Sequence, residues 1–130
     1  MKKFSFYLPA ILAGLLMLGA CEKDYLTPKQ VDVTVPVSFA TDIIPILAAR
    51  CATQNCHDAG PQSSSPSLLA ADAFTGLEQY IDRDNPADSR VYKMIIGTST
   101  PVMPLEPNPR LTPEQIGYIF AWIEQGGQNN

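Results

Sequence analysis

Hydrophobic positions recur at helical spacing in four short stretches of this chain and at strand spacing in one. Val31, Val33, Val35 and Val37 alternate with Asp32, Thr34, Pro36 and Ser38, a period of two that suggests a strand. Pro36 and the lack of a second such run demote it to an edge or an extended linker. Phe39, Ile43 and Leu47 then repeat at i, i+4, as do Ala40, Ile44 and Ala48, predicting a helix over 41–50 with Thr41 as N-cap. With that cap Pro45 falls in the first turn, where the N–H groups lack intrahelical partners anyway. A modest helix is expected over 71–81, with Phe74, Leu77 and Ile81 on one face and Gly76 weakening it.

The stretch 88–97 reads as a clearer helix, capped by Asp88 and ended by Gly97, with Val91, Ile95, Tyr92 and Ile96 as its apolar face. The last helix is the best marked. Thr112-Pro113-Glu114-Gln115 combines an N-cap, a proline at the first helical position and a capping box closed by Gln115. Ile116, Ile119, Phe120 and Ile123 share a face, Gly126-Gly127 ends it, and the tail 128–130 should fray. Between these pieces lie a turn-rich loop, Asp58 to Pro66, and a segment from Thr98 to Arg110 whose four prolines exclude a helix or a central strand. No internal repeat is present, so residues 39–130 read as one domain and residues 21–38 as a tether. Fully extended, residues 22–38 would reach about 55 Å.

The N-terminus changes this picture. Met1-Lys2-Lys3, an apolar run from Phe4 to Leu18, and Leu18-Gly19-Ala20-Cys21 read as a secretory signal over residues 1–20. The run is about 15 residues, short for a membrane span. Small residues directly before a cysteine resemble a bacterial lipobox, which implies that Cys21 is lipid-modified and becomes the first mature residue. An ordinary signal peptide and a retained membrane anchor are the alternatives. Loss of Lys2 and Lys3 takes the formal charge from −4 to −6. Such a surface argues against nucleic acid and anionic lipid head groups and favours a partner with a basic docking patch.

Export leaves Cys51 and Cys56 as the remaining cysteines, in an oxidising compartment where free thiols are not expected. Cys51-Ala52-Thr53-Gln54-Asn55-Cys56-His57 ends in Cys-His and holds the only histidine. A cysteine pair ending in Cys-His is how haem c is held: each thiol adds to a vinyl group and the histidine supplies an iron ligand. The usual gap is two residues, and here it is four. A Cys51–Cys56 disulfide needs no cofactor, and another metal would have only three ligands, two of them adjacent in the chain; all three readings stay open on the motif. If His57 takes the proximal place, the opposite one falls to a methionine or stays vacant. The mature chain has Met94, inside a predicted helix and read as core, and Met103, set in the proline-stiffened loop and read as the axial candidate.

Helix, Cys-His motif, turn loop, two helices, Met loop and capped last helix together resemble a class I-like monohaem cytochrome c domain of bacterial envelope lipoproteins. The resemblance covers residues 39–127. It rests on Phe39–Arg50 leading into Cys51…Cys56-His57, on Ser89–Ile95, on Val102-Met103-Pro104, and on Leu111–Gln115 through Trp122–Gly126. That subfamily shares the four-residue gap; many of its members have two prolines after the methionine, where this chain has Pro104-Leu105. The resemblance implies an all-α fold in which the first and last helices cross over one covalent haem c. Ile43, Ile44, Leu47, Ile119, Phe120, Trp122 and Ile123 would make that contact, and Leu68 would be a haem wall. Cys51 and Cys56 would carry the haem, with His57 and Met103 as axial ligands and Arg90, Tyr92 or Lys93 near the propionates. A backbone carbonyl near Pro61 or Pro66 would orient His57. The implied role is electron transfer in the cell envelope, periplasmic or surface-facing, without enzyme activity. A haem-based sensor or peroxidase-like site with an open sixth position, and a haem-free interaction module stapled by a disulfide, are the rival functions.

Overall fold

Pro45 shapes the entry into the domain. It has no N–H to continue a helical ladder, and its ring crowds the carbonyl four residues back, that of Thr41. The chain answers with one wide π-type turn, Phe39–Ile43, and only then the regular helix α1, Ile44–Arg50. The start therefore lies earlier than the expected Thr41 cap. Ser38 is the N-cap: its Oγ accepts from the Thr41 N–H at 3.3 Å, and its own N–H donates to the Asp42 carboxylate at 2.8 Å. The structure, a computed structural model, describes residues 25–32 and 34–130. The signal segment 1–20, Cys21 and Val33 lie outside the described residues.

Three more helices follow: α2, Ala73–Glu78; α3, Arg90–Ile96; and α4, Pro113–Glu124. Among the described residues the fold is all-α, with no strand. The valine alternation over 31–37 forms an extended arm, not a strand. Helix α2 is shorter than the predicted 71–81. Helix α3 is not capped by Asp88, which belongs to a short 3₁₀ turn, Pro86–Asp88, ahead of it. Ser89 intervenes, and its buried hydroxyl is spent on the Asp82 backbone, accepting from the N–H at 2.8 Å. The Gly97 stop is as expected, at φ 91° in the left-handed region. So is the capping box of α4, where Thr112 and Gln115 satisfy each other's backbone N–H groups.

The wide turn packs against α4. Phe39 stacks on Trp122 at 5.0 Å between ring centroids and meets Phe74 edge-on at 5.5 Å. Ile43, Ile116 and Ile123 are fully buried around them. The C-terminal tail and the residues leading into Phe39 are tied together in this half. The tail expected to fray is held: Asn130 Oδ1 accepts from the Phe39 N–H at 2.7 Å, its backbone carbonyl accepts from Ala40, and Trp122 Nε1 donates to the Gln128 carbonyl. Among its described residues, the expected tether touches the domain at several points. Val37 is buried, and Leu26 and Val31 pack against the core. Each buries apolar area worth stabilising energy, which an extended arm lifting the domain clear would forgo.

Candidate functional site

On the other side of α4 the walls are mostly loops. They enclose a largely apolar cavity of about 270 Å³, and Cys51, Cys56, His57, Met94 and Met103 all line it. A second cavity, about 310 Å³, lies between residues 34–37 and the C-terminal tail and is lined by none of the cysteine, histidine or methionine side chains.

Cys51 sits at the C-terminus of α1, its N–H still bonded to the Leu47 carbonyl at 2.8 Å. The four-residue gap then closes as two linked turns. The Cys56 N–H donates to Thr53 and the His57 N–H donates back to the Cys51 carbonyl at 3.0 Å. Asn55, at φ 63°, is the one non-glycine residue in the left-handed region among the described residues. Asparagine tolerates that region better than most side chains, which lets the longer loop turn back on itself. Both cysteines are half-buried thiols with no bond between them. Burial, and secondarily the neighbouring Cys56, pushes the Cys51 thiol up to about 11, so it stays protonated at neutral pH.

His57 Nδ1 lies 2.8 Å from the Pro66 carbonyl oxygen. A carbonyl only accepts, so Nδ1 carries a proton, and in the neutral ring Nε2 is then the nitrogen with the lone pair. That is the arrangement of an imidazole prepared as a metal ligand. The Pro66 segment is itself held from behind. Helix α2 approaches so closely that a Cβ on Gly76 would lie 2.7 Å from the Ser67 carbonyl and 3.0 Å from Pro66 Cβ. The glycine that weakens α2 is what allows the contact. The Leu68 N–H donates to the His57 carbonyl at 2.8 Å, and Leu68 lines the cavity wall.

Met103 reaches the cavity from the proline-rich loop. Its N–H donates to the Met94 carbonyl at 3.0 Å, and Arg110 Nη2 donates to the neighbouring Ile95 carbonyl at 2.9 Å, so the loop is fastened along α3. Met94 is not core, as periodicity suggested. It is half-buried and shares the cavity with Met103. Sequence reasoning also missed Arg50, although its place directly before Cys51 was a signal. Arg50 and Arg90 line the cavity, whereas Asp and Glu do not. Arg90 also lies over the Tyr80 ring at 5.4 Å. The other two basic-face candidates do not line the cavity. Lys93 pairs with Asp88 at 2.6 Å, and Tyr92 is buried against Phe120, with ring centroids 4.6 Å apart.

Among the described residues no cluster of three or more His, Cys, Asp and Glu side chains converges as a metal site, and no helix is long and apolar enough to cross a membrane. Compared with known proteins, the chain matches no family model, and no curated protein or solved structure aligns with it significantly.

Proposed function

We propose that this protein is a membrane-tethered c-type cytochrome, with a class I-like fold around one covalent haem c, carrying single electrons in the bacterial cell envelope. One observation supports the reading above all others. The Pro66 carbonyl fixes the His57 tautomer so that Nε2 is free to ligate, on a residue lining the same apolar cavity as both cysteines and Met103.

The donor set fits the group. Cys51 and Cys56 would hold it through thioethers, with His57 and Met103 at the iron. Leu68, Ile95 and Ile119 offer apolar wall, and Arg50 and Arg90 offer cations to its carboxylates in a lining without competing acids. When bound, haem supplies the one-electron chemistry. The chain's own part is to exclude water from the ring faces, to keep Nδ1 protonated through Pro66, and to hold a thioether on a fastened loop. With His57 and Met103 both engaged by the group, substrate would have no access to the metal, in keeping with a carrier rather than an enzyme. Lipidation at Cys21 would supply the anchor, and the net negative charge would draw a redox partner with a basic patch.

The test is a visible spectrum and an intact mass of the full chain matured by a cytochrome c assembly system. The expected product is red and heavier by one covalent haem. A high-spin ferric form that binds carbon monoxide rapidly would favour the open-site sensor. A colourless protein two hydrogens lighter than its reduced form would overturn the carrier reading in favour of the disulfide-stapled module.

A further inference from the structure

We propose that residues 26–31, in sequence no more than a linker, are a strap that closes both ends of the Met103 loop and positions that methionine over the cavity. The loop runs from the end of α3 to the start of α4, and the strap touches it at both margins. The Leu26 N–H donates to the Ile96 carbonyl at 3.0 Å, at the entry, and the Lys29 N–H donates to the Pro113 carbonyl at 2.8 Å, at the exit. Between these margins lie Pro101, Met103, Pro104, Leu105, Asn108 and Leu111, all of which line the cavity. The bracket spans the segment that supplies one whole wall.

The fit of the strap against α4 is close. A Cβ on Gly117 would run into the Lys29 carbonyl oxygen and lie 3.3 Å from a Val31 methyl group. Any larger residue there pushes the strap away, so a glycine in mid-helix, which costs helix stability, has a reason to be where it is. Leu26 and Val31 pack against the core on either side, and Lys29 pairs with Glu114 at 3.6 Å on the exposed edge. The backbone bonds and the glycine contact fix the strap; the exposed ion pair adds little.

The strap also links the anchor to the site. Only four residues lie between Cys21 and Leu26, a reach of at most about 17 Å when extended. A lipid on Cys21 would therefore hold the domain near the membrane, and a pull on the tether would bear first on the two margins of the Met103 loop.

Hydrogen exchange by mass spectrometry on the full chain, with a parallel spectrum of the thioether-to-iron charge-transfer band, tests this. Lys29→Pro removes the N–H that bonds Pro113 and leaves the core untouched. Gly117→Val displaces the same strap from the α4 side. Lys29→Ala keeps the N–H and loses the ion pair. The first two should speed exchange across residues 98–110, the Met103 amide included, by roughly five-fold or more, the equivalent of one net hydrogen bond. They should also weaken the band, while Lys29→Ala leaves both unchanged. Faster exchange confined to residues 26–31, with the loop and the band unmoved, would overturn the proposal. The charge-transfer readout rests on Met103 as an iron ligand, whereas the exchange readout does not. Absence of haem therefore removes the electron-carrier reading and leaves the strap to be decided by exchange alone.

Discussion

The two sides of α4 are built on different terms. On one, side chains close upon each other: Phe39 between Trp122 and Phe74, with Ile43, Ile116 and Ile123 buried around them and the C-terminal Asn130 bonded to Phe39. On the other, apolar groups such as Leu68, Leu77 and Leu111 line a cavity whose walls are mostly loops, completed by residues of the four helices. Atoms lining a space lose the dispersion contacts that a packed neighbour would give. About 90 residues make a marginal core unaided. The comparison teaches that the first side carries the stability of the chain alone, and that the second keeps apolar wall which its own side chains do not cover.

The most forceful way to break this comparison is Trp122→Ala. It removes the ring on Phe39 and the hydrogen bond that holds Gln128, at a side chain only 1% exposed. The expected loss is about 3–5 kcal/mol in urea unfolding, enough to unfold most of a marginal domain. A loss under about 1 kcal/mol would mean that the aromatic cluster is not the foundation.

Gly76→Ala probes the cavity side and should have a smaller effect. Helix propensity alone favours alanine by about 1 kcal/mol. The new methyl group would meet the Ser67 carbonyl at 2.7 Å, backbone that can yield only by moving Pro66. Overpacking of this kind costs about 1–3 kcal/mol. Net destabilisation of about 1 kcal/mol is expected, together with faster solvent exchange of the His57 Nδ1 proton by NMR as the Pro66 carbonyl shifts. If the variant is stabilised instead, α2 does not brace the histidine.

How much of this was legible in the sequence follows from the range of each signal. The capping box at Thr112, the stop at Gly97 and the apolar face of α4 are local, and periodicity reads local order. The structure brings Cys51, Cys56, His57 and Met103 to one cavity, as chemistry-bearing residues singled out by type and setting. What was hidden depends on partners far along the chain. Asn130 meets Phe39 across 91 positions, and Leu26 meets Ile96, pairings that no window of a dozen residues contains. Met94 was misread because a helical position three residues from an apolar neighbour looks the same whether the helix faces a core or a cavity. Gly76, read only as a weakness of its helix, and Gly117 were clues: glycine inside an amphipathic helix marks a place where backbone from elsewhere comes close.

The smallest effect sets the floor for the comparison. Asp88 and Lys93 are paired at 2.6 Å on the exposed flank of α3, away from the cavity and from the Trp122 cluster. The hydrogen bond from Lys93, with its charge, holds the Asp88 carboxyl below its usual value of 3.8. A carboxyl lowered on folding stabilises above the unfolded value, and that contribution fades as pH falls below 3.8 through the lowered folded value. Both partners are wetted by solvent, and physiological salt screens such pairs over about 8 Å. Asp88→Asn should therefore leave the urea midpoint at pH 7 almost unmoved and slightly flatten its decline in acid. If this substitution shifted the midpoint as far as Gly76→Ala does, surface charge would rival the bracing of His57. The contrast between a closely packed half and a half built around a cavity would then no longer describe where the stability of this chain resides.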